Sequence, residues 1–301
     1  MVYKNFNELI THVKSSAIAK RVVVAAAQDE HTLDAVLKVR DEGVVEPVLV
    51  GDRAKILEIL EKLNAVVPDE DIYDALQFSE AAALSVSLVR NGKADFIMKG
   101  KLETADILKA VVNKETGLGM GRTMSHIAIN QIPSYHKLLI TTDGGMLLAP
   151  TLEQKRDVVI NAVSALRSMG YDKPKVGILA ASEKINHKLQ DSVDAAALKE
   201  MNQNGEIEGC IVEGPISFDI AMIKERAVTK GYDSPCAGDV DVLVVPNITA
   251  GNILGKSLVE MAGAKMAGLI IGAKCPIVVT SRGSSAEEKY LALNLAAAMT
   301  K

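Results

Sequence analysis

Short β-branched runs alternate with amphipathic stretches along the whole chain. Residues 21–27, 47–50, 95–98, 124–129, 137–142, 175–180, 207–212, 241–246, 264–272 and 277–280 have the length and composition of buried strands. Between them, residues 5–20, 28–43, 53–63, 79–91, 150–170 and 190–201, and a last segment running towards Met299, carry helical periodicity with capping residues at one end or glycine at the other. Regular strand–helix alternation predicts βαβ units and a parallel-rich sheet. In such sheets ligands lie outside the carboxyl ends of the strands, so candidate chemistry belongs where strands stop.

The run 95–98 stops at Lys99-Gly-Lys101, and the helix that follows carries Lys109. The glycine-rich segment 116–122 ends in Arg122. Each cation alone reads as a solvated charge, but grouped with flexible glycine backbone they suggest an anionic ligand. Neither a GxGxxG nor a GxxxxGK[ST] pattern is present, so no nucleotide-binding class follows. Ser125 and His126 open the next strand as candidate substrate contacts, although a histidine on a strand is more often a core residue. Ser217 and Asp219 follow the run 207–212, where they suit either a ligand or a helix cap. Asn247, Thr249 and Asn252, spaced by small residues after 241–246, leave room for a bulky polar ligand along the backbone.

The last strand breaks at Ser281-Arg282-Gly283, and a helix starts at Ser284 or Ser285. Unpaired N–H groups, hydroxyls and a guanidinium at a helix entrance form an anion-holding device. Glu287 and Glu288 stand behind it where a general base would be. Ser285-x-x-Glu288 reads equally as a capping box.

Composition narrows the class. A chain of 301 residues buries a sizeable core in one or two domains. A net charge of −4, no Trp and only 3% aromatics argue against nucleic acid or an acidic membrane surface as partner. The 3 cysteines are far apart and the 5 histidines lack ligand spacing, so no metal site is expected, and a reducing cytoplasm is the simplest location. Neither a signal-like start nor a membrane-spanning apolar run is evident.

Taken together, KGKLETADILKAVVNKETGLGMGRTMSHIAI, TTDGGMLLAPTLEQKRDVVINAV, SVDAAALKEM, VEGPISFDIA and the long stretch from AGDVDVLVVPNITAGNILGK to TSRGSSAEEK resemble the phosphate acetyl/butyryltransferase family, with the butyryltransferase branch nearer. GPxxFD, PNxxAGNxL and TSRxxS in this order make the resemblance specific. It implies a three-layer α/β/α protein of the isocitrate/isopropylmalate dehydrogenase-like fold, with two domains and an interdomain cleft. The first domain would comprise residues 1–130 plus 273–301, and the second 131–272. It implies reversible transfer of an acyl group between coenzyme A and phosphate, with CoA as substrate, no permanently bound cofactor, and a homodimer or larger assembly. Ser281 and Arg282 match the family's phosphate-binding pair, and the catalytic Asp of the acetyl branch falls on Glu288. Glu287 beside it leaves the base undecided. Lys109 stands where the acetyl branch has Arg, and Lys99, Lys101 or Arg122 would supply the charge of a second Arg that has no counterpart here. A phosphate acetyltransferase and a non-catalytic CoA- or anion-binding protein are the rival readings.

Overall fold

Buried β-branched runs and capped helices account for the elements in the computed structural model, which describes residues 2–15, 18–280 and 284–300. In chain order, α1 (Phe6–Lys14) leads to β1 (Lys20–Ala25), α2 (Glu30–Asp41), β2 (Val45–Gly51), α3 (Arg53–Lys62), β3 (Ile72–Asp74), α4 (Phe78–Arg90), β4 (Phe96–Lys99) and α5 (Thr104–Val111). Then come β5 (Ser125–Gln131), β6 (Leu139–Thr142), α6 (Leu152–Ser168), β7 (Lys175–Leu179), α7 (Gln190–Gln203), β8 (Ile211–Ile216), α8 (Phe218–Met222), α9 (Lys224–Lys230), β9 (Val242–Val244), α10 (Ile248–Glu260) and β10 (Lys265–Ile271). The chain closes with β11 (Ile277–Val278) and α11 (Ala286–Met299).

Two compact units result, one of residues 7–122 and 267–301, the other of residues 1–6 and 123–266. In the first, strands run β3-β2-β1-β4-β11-β10, parallel except that β10 lies antiparallel to β11. In the second the order is β5-β6-β9-β7-β8, parallel except for the β5–β6 pair. Residues 123–130, expected with the first domain, fall in the second unit because β5 pairs with β6 (Ile127 opposite Thr142). The first six residues join it too: Leu138 N donates to Tyr3 O (2.9 Å) and Phe6 N to Gln131 Oε1 (2.9 Å).

Residues where strands stop double as helix caps. Asp29 accepts from Thr32 N at the start of α2, and Asp52 from Lys55 N at the start of α3. Asn247 accepts from Ala250 N at α10, and capping boxes open α6 (Thr151 with Gln154) and α11 (Ser285 with Glu288). Each satisfies an N–H that the first helical turn leaves unpaired. The turn between strand and helix is thereby held in one geometry, which matters for whatever binds there.

Two expectations shift. The strand expected at 207–212 is β8, displaced to Ile211–Ile216. Glu213 is therefore inside a strand and not at its end. It is tolerated there because Lys199 Nζ (2.6 Å) and Ser234 Oγ (2.8 Å) satisfy its carboxylate. The helix expected over 5–20 is only α1, nine residues long. Among the described residues no helix is long and apolar enough to cross a membrane, and no cluster of His, Cys, Asp and Glu could hold a metal ion.

Candidate active site

In the first unit, β1, β4 and β11 run side by side, with Val24 opposite Met98 and Met98 opposite Val278, so their exits converge. Ala26, just past β1, has a left-handed backbone (φ 58°), uncommon for a residue with a side chain. The β4 exit docks on this turn: Gly100 N donates to Ala25 O (2.8 Å) and Lys101 N to Ala26 O (2.8 Å). A Cβ at Gly100 would stand 2.3 Å from the Ala26 carbonyl oxygen, so only glycine fits.

The four expected cations separate here. Lys99 is buried, and its ammonium donates to Gly100 O (3.0 Å) and Leu102 O (2.9 Å), so it staples its own loop. Lys101 and Lys109 are exposed. Arg122 is half-buried, and its Nε is buried with no hydrogen-bond partner among the described residues. Ser281 and Arg282 lie outside the described residues. Just past them the α11 entrance is closed by its capping box: Ser285 N donates to Glu288 Oε2 (3.2 Å) and Glu288 N to Ser285 Oγ (3.1 Å). One oxygen of Glu288 is thus engaged in capping, while Glu287 is exposed.

The second unit gathers its strand exits in the same way. Asp143, after β6, accepts from Gly145 N (2.8 Å), Met146 N (2.7 Å) and His126 N (2.8 Å). The loop it ties down meets the start of α10, where a Cβ on Gly251 would lie 2.5 Å from Gly144 Cα. The His126 ring rests against Gly145; burial lowers the imidazole pKa and the Asp143 charge raises it in part, so the ring is neutral at pH 7. Ser125 is fully buried and accepts from Asn161 Nδ2 (3.0 Å), a structural contact. Asn247 caps α10, whereas Thr249 and Asn252 are exposed on its first turns.

Ser217 is buried and its hydroxyl faces two carboxylates, Glu183 and Asp219 (2.6 Å to the latter). Lys230 bridges both, 2.9 Å from Glu183 and 3.1 Å from Asp219. The Ser217 and Lys230 hydrogen bonds hold both acids below the usual carboxylate range. The cap reading of Ser217 is replaced by this one: Ser217 makes no side-chain cap bond to α8. Sequence reading missed Glu183–Lys230, a contact across 47 residues with no local signature. Asp143 was visible as an acid before paired glycines, but its three backbone bonds were not.

All three cysteines are buried and free. Burial pushes Cys210 up to about 11 and Cys236 and Cys275 up to about 12, so none is a ready nucleophile.

Residues 70–298 match the family described as phosphate acetyl/butaryl transferase. The chain belongs to this family. It is 41% identical over 294 residues to a phosphate butyryltransferase of Clostridium acetobutylicum, covering 98% of this chain and 97% of that one. To a phosphate acetyltransferase of Thermotoga maritima it is 42% identical over 278 residues, 92% of this chain and 94% of the other. A branched-chain phosphotransacylase from Enterococcus faecalis V583 superposes with a TM-score of 0.80 at 31% identity, covering 93% of this chain and 98% of that one. The dehydrogenase-like fold also holds: a 4-hydroxythreonine-4-phosphate dehydrogenase from Burkholderia phymatum covers 95% of this chain and 99% of its own at a TM-score of 0.60 and 11% identity, a likeness of fold alone. Acyltransferase membership is therefore established, and acetyl and butyryl relatives are about equally similar.

Proposed function

We propose that this enzyme transfers an acyl group reversibly between acyl-CoA and phosphate, giving acyl phosphate and CoA, with a butyryl-sized acyl group as the preferred substrate. Phosphate would bind at the first unit's strand exits, on Ser281 and Arg282 and within the field of Lys101, Lys109 and Arg122. CoA would contact the second unit around His126, Asn247, Thr249 and Asn252. The observation that carries this reading is the family match, which spans the β4 exit, β11 and the α11 entrance.

The chemistry is direct attack of the CoA thiolate on the acyl phosphate, with phosphate leaving as charge builds on its oxygens. Arg282 grips two of those oxygens at once, and the lysines add positive potential. The buried, high-pKa cysteines favour this direct route over an acyl-enzyme. The thiol needs a base, and Glu288 has one oxygen in its cap and one outside it; Glu287 is the alternative. Gln serves a capping box as well as Glu but takes no proton, so Glu288→Gln separates the two roles. If Glu288 is the base, Glu288→Gln loses about 10²-fold in kcat with thermal stability unchanged. Full activity in Glu288→Gln removes it from the chemistry. Thiol release measured from acetyl-CoA through hexanoyl-CoA with phosphate tests substrate size: a kcat/KM maximum at acetyl overturns the butyryl preference, and no release from any acyl-CoA favours a non-catalytic anion binder.

A further inference from the structure

The first unit has a second edge, opposite its strand exits, where the chain enters β1 and leaves α1 and α11. Lys20 opens β1, and its backbone N donates to Val44 O (2.9 Å) just ahead of β2. The five steps of β1 from Lys20 to Ala25 put this edge about 17 Å from the exits. A cavity of about 460 Å³ opens there, a size that suits a small ligand. Among the described residues, Val13, Val44, Ala297 and Ala298 give it apolar walls, and the largely exposed Ile18 lines it as well.

Its polar lining is Lys20, His12, Ser15 and Thr300. Both hydroxyls already donate to helix carbonyls: Ser15 Oγ to His12 O (2.6 Å) and Thr300 Oγ1 to Ala296 O (2.8 Å). Lys20 is different. It is half-buried, and among the described residues its ammonium makes no hydrogen bond and no ion pair. Neighbouring charges are matched elsewhere. Lys14 lies 3.0 Å from Glu42, which also accepts from the Tyr290 hydroxyl (2.7 Å), and Arg21 pairs with Asp71. The cavity therefore sets one unmatched ammonium beside apolar walls. That combination suits a monoanion with a hydrocarbon tail. The carboxylate accepts a charge-assisted hydrogen bond from the ammonium, and the tail leaves water for the valine and alanine side chains. A phosphate dianion would instead lie against methyl groups that offer it no donor.

We propose that this cavity binds a short-chain aliphatic carboxylate, its head on Lys20 and its tail against Val13, Val44 and Ala298. The site is separate from the phosphate and CoA contacts proposed above, and its failure would leave that reading untouched.

The test measures binding of sodium acetate, butyrate and hexanoate to the full chain by calorimetry and by thermal midpoint. It compares wild type with Lys20→Met, Lys20→Arg and Ala298→Leu. Hexanoate should bind the wild type and raise its midpoint. Affinity should climb about three- to four-fold per methylene from acetate upward. Binding should persist with CoA and phosphate at saturation. Lys20→Met keeps the hydrocarbon stem but loses the charge, and it should weaken hexanoate binding about ten-fold or more. Lys20→Arg should retain most of the affinity, and Ala298→Leu, which fills the cavity, should lose it. Acyl transfer without added carboxylate should be unchanged in Lys20→Met. Binding that Lys20→Met leaves intact, or that CoA and phosphate displace, belongs to another site and overturns the proposal. Equal affinity for acetate and hexanoate, or no binding at all, overturns it too. Should Lys20→Met not fold, Ala298→Leu decides: hexanoate affinity identical to wild type overturns the proposal.

Discussion

The strand exits of the two units are built alike but charged differently. In both, parallel strands deliver short turns to one edge, and a glycine that admits no Cβ locks two turns together: Gly100 against Ala26 in the first unit, Gly251 against Gly144 in the second. At the second edge the polar groups satisfy one another. Asp143 is occupied by three backbone N–H groups, and Glu183 and Asp219 share Ser217 and Lys230. At the first edge, by contrast, Lys101 and Lys109 are exposed, and Arg122 Nε is buried with no hydrogen-bond partner among the described residues. A self-satisfied edge offers shape, whereas an unsatisfied edge offers charge. This difference is the reason for proposing the phosphate site in the first unit and the CoA contacts in the second.

The sharpest way to break this contrast is Arg282→Ala. If phosphate depends on the first edge, kcat falls about 10²- to 10³-fold and phosphate KM rises, with the thermal midpoint unchanged; wild-type kinetics would remove the charge asymmetry from the mechanism. Next in size are the two glycine locks. Gly100→Ala and Gly251→Ala each force backbone apart and should cost about 2 kcal/mol or more in denaturant unfolding. A loss confined to one of them would show that the two locks are not equivalent. Ser217→Ala should cost about 1 kcal/mol by leaving two acids without their shared donor, while the phosphate KM stays at the wild-type value. A changed phosphate KM would mean that the second edge handles the anion after all.

The smallest effect concerns Asp239, away from both exits. Burial raises its pKa, but Lys137, Lys175 and His136 outweigh that and hold the carboxyl far below its usual range. Because the folded pKa is depressed, the stabilisation is complete above the unfolded value of about 3.9 and is lost as pH falls below it. Asp239→Asn should therefore flatten the decline of the thermal midpoint between about pH 5 and pH 2 relative to wild type. A parallel decline in both proteins would show that this cluster contributes no acid sensitivity.

Much of this architecture was legible in the residue order because it rests on local rules. Alternating buried runs and capped helices located most strands within a few residues, and Ser285 with Glu288 announced the α11 start that is observed. The motif order from Lys99 to Lys289 pointed to the family that the comparisons establish. The displaced β8 was not legible, because a glutamate looks like a strand end unless its distant partners Lys199 and Ser234 are known. Lys99 and Lys101, neighbours in one motif, could not be told apart for a similar reason: one turns back onto its loop carbonyls and the other faces solvent.

The chain's own order thus determined the βαβ rhythm, the caps and the family, since periodicity and helix starts depend on neighbours a few positions apart. Which charges are satisfied was decided only by the tertiary structure. Electrostatic pairing acts through space, so an acid far along the chain can neutralise a lysine that its own segment leaves bare, as Glu183 does for Lys230.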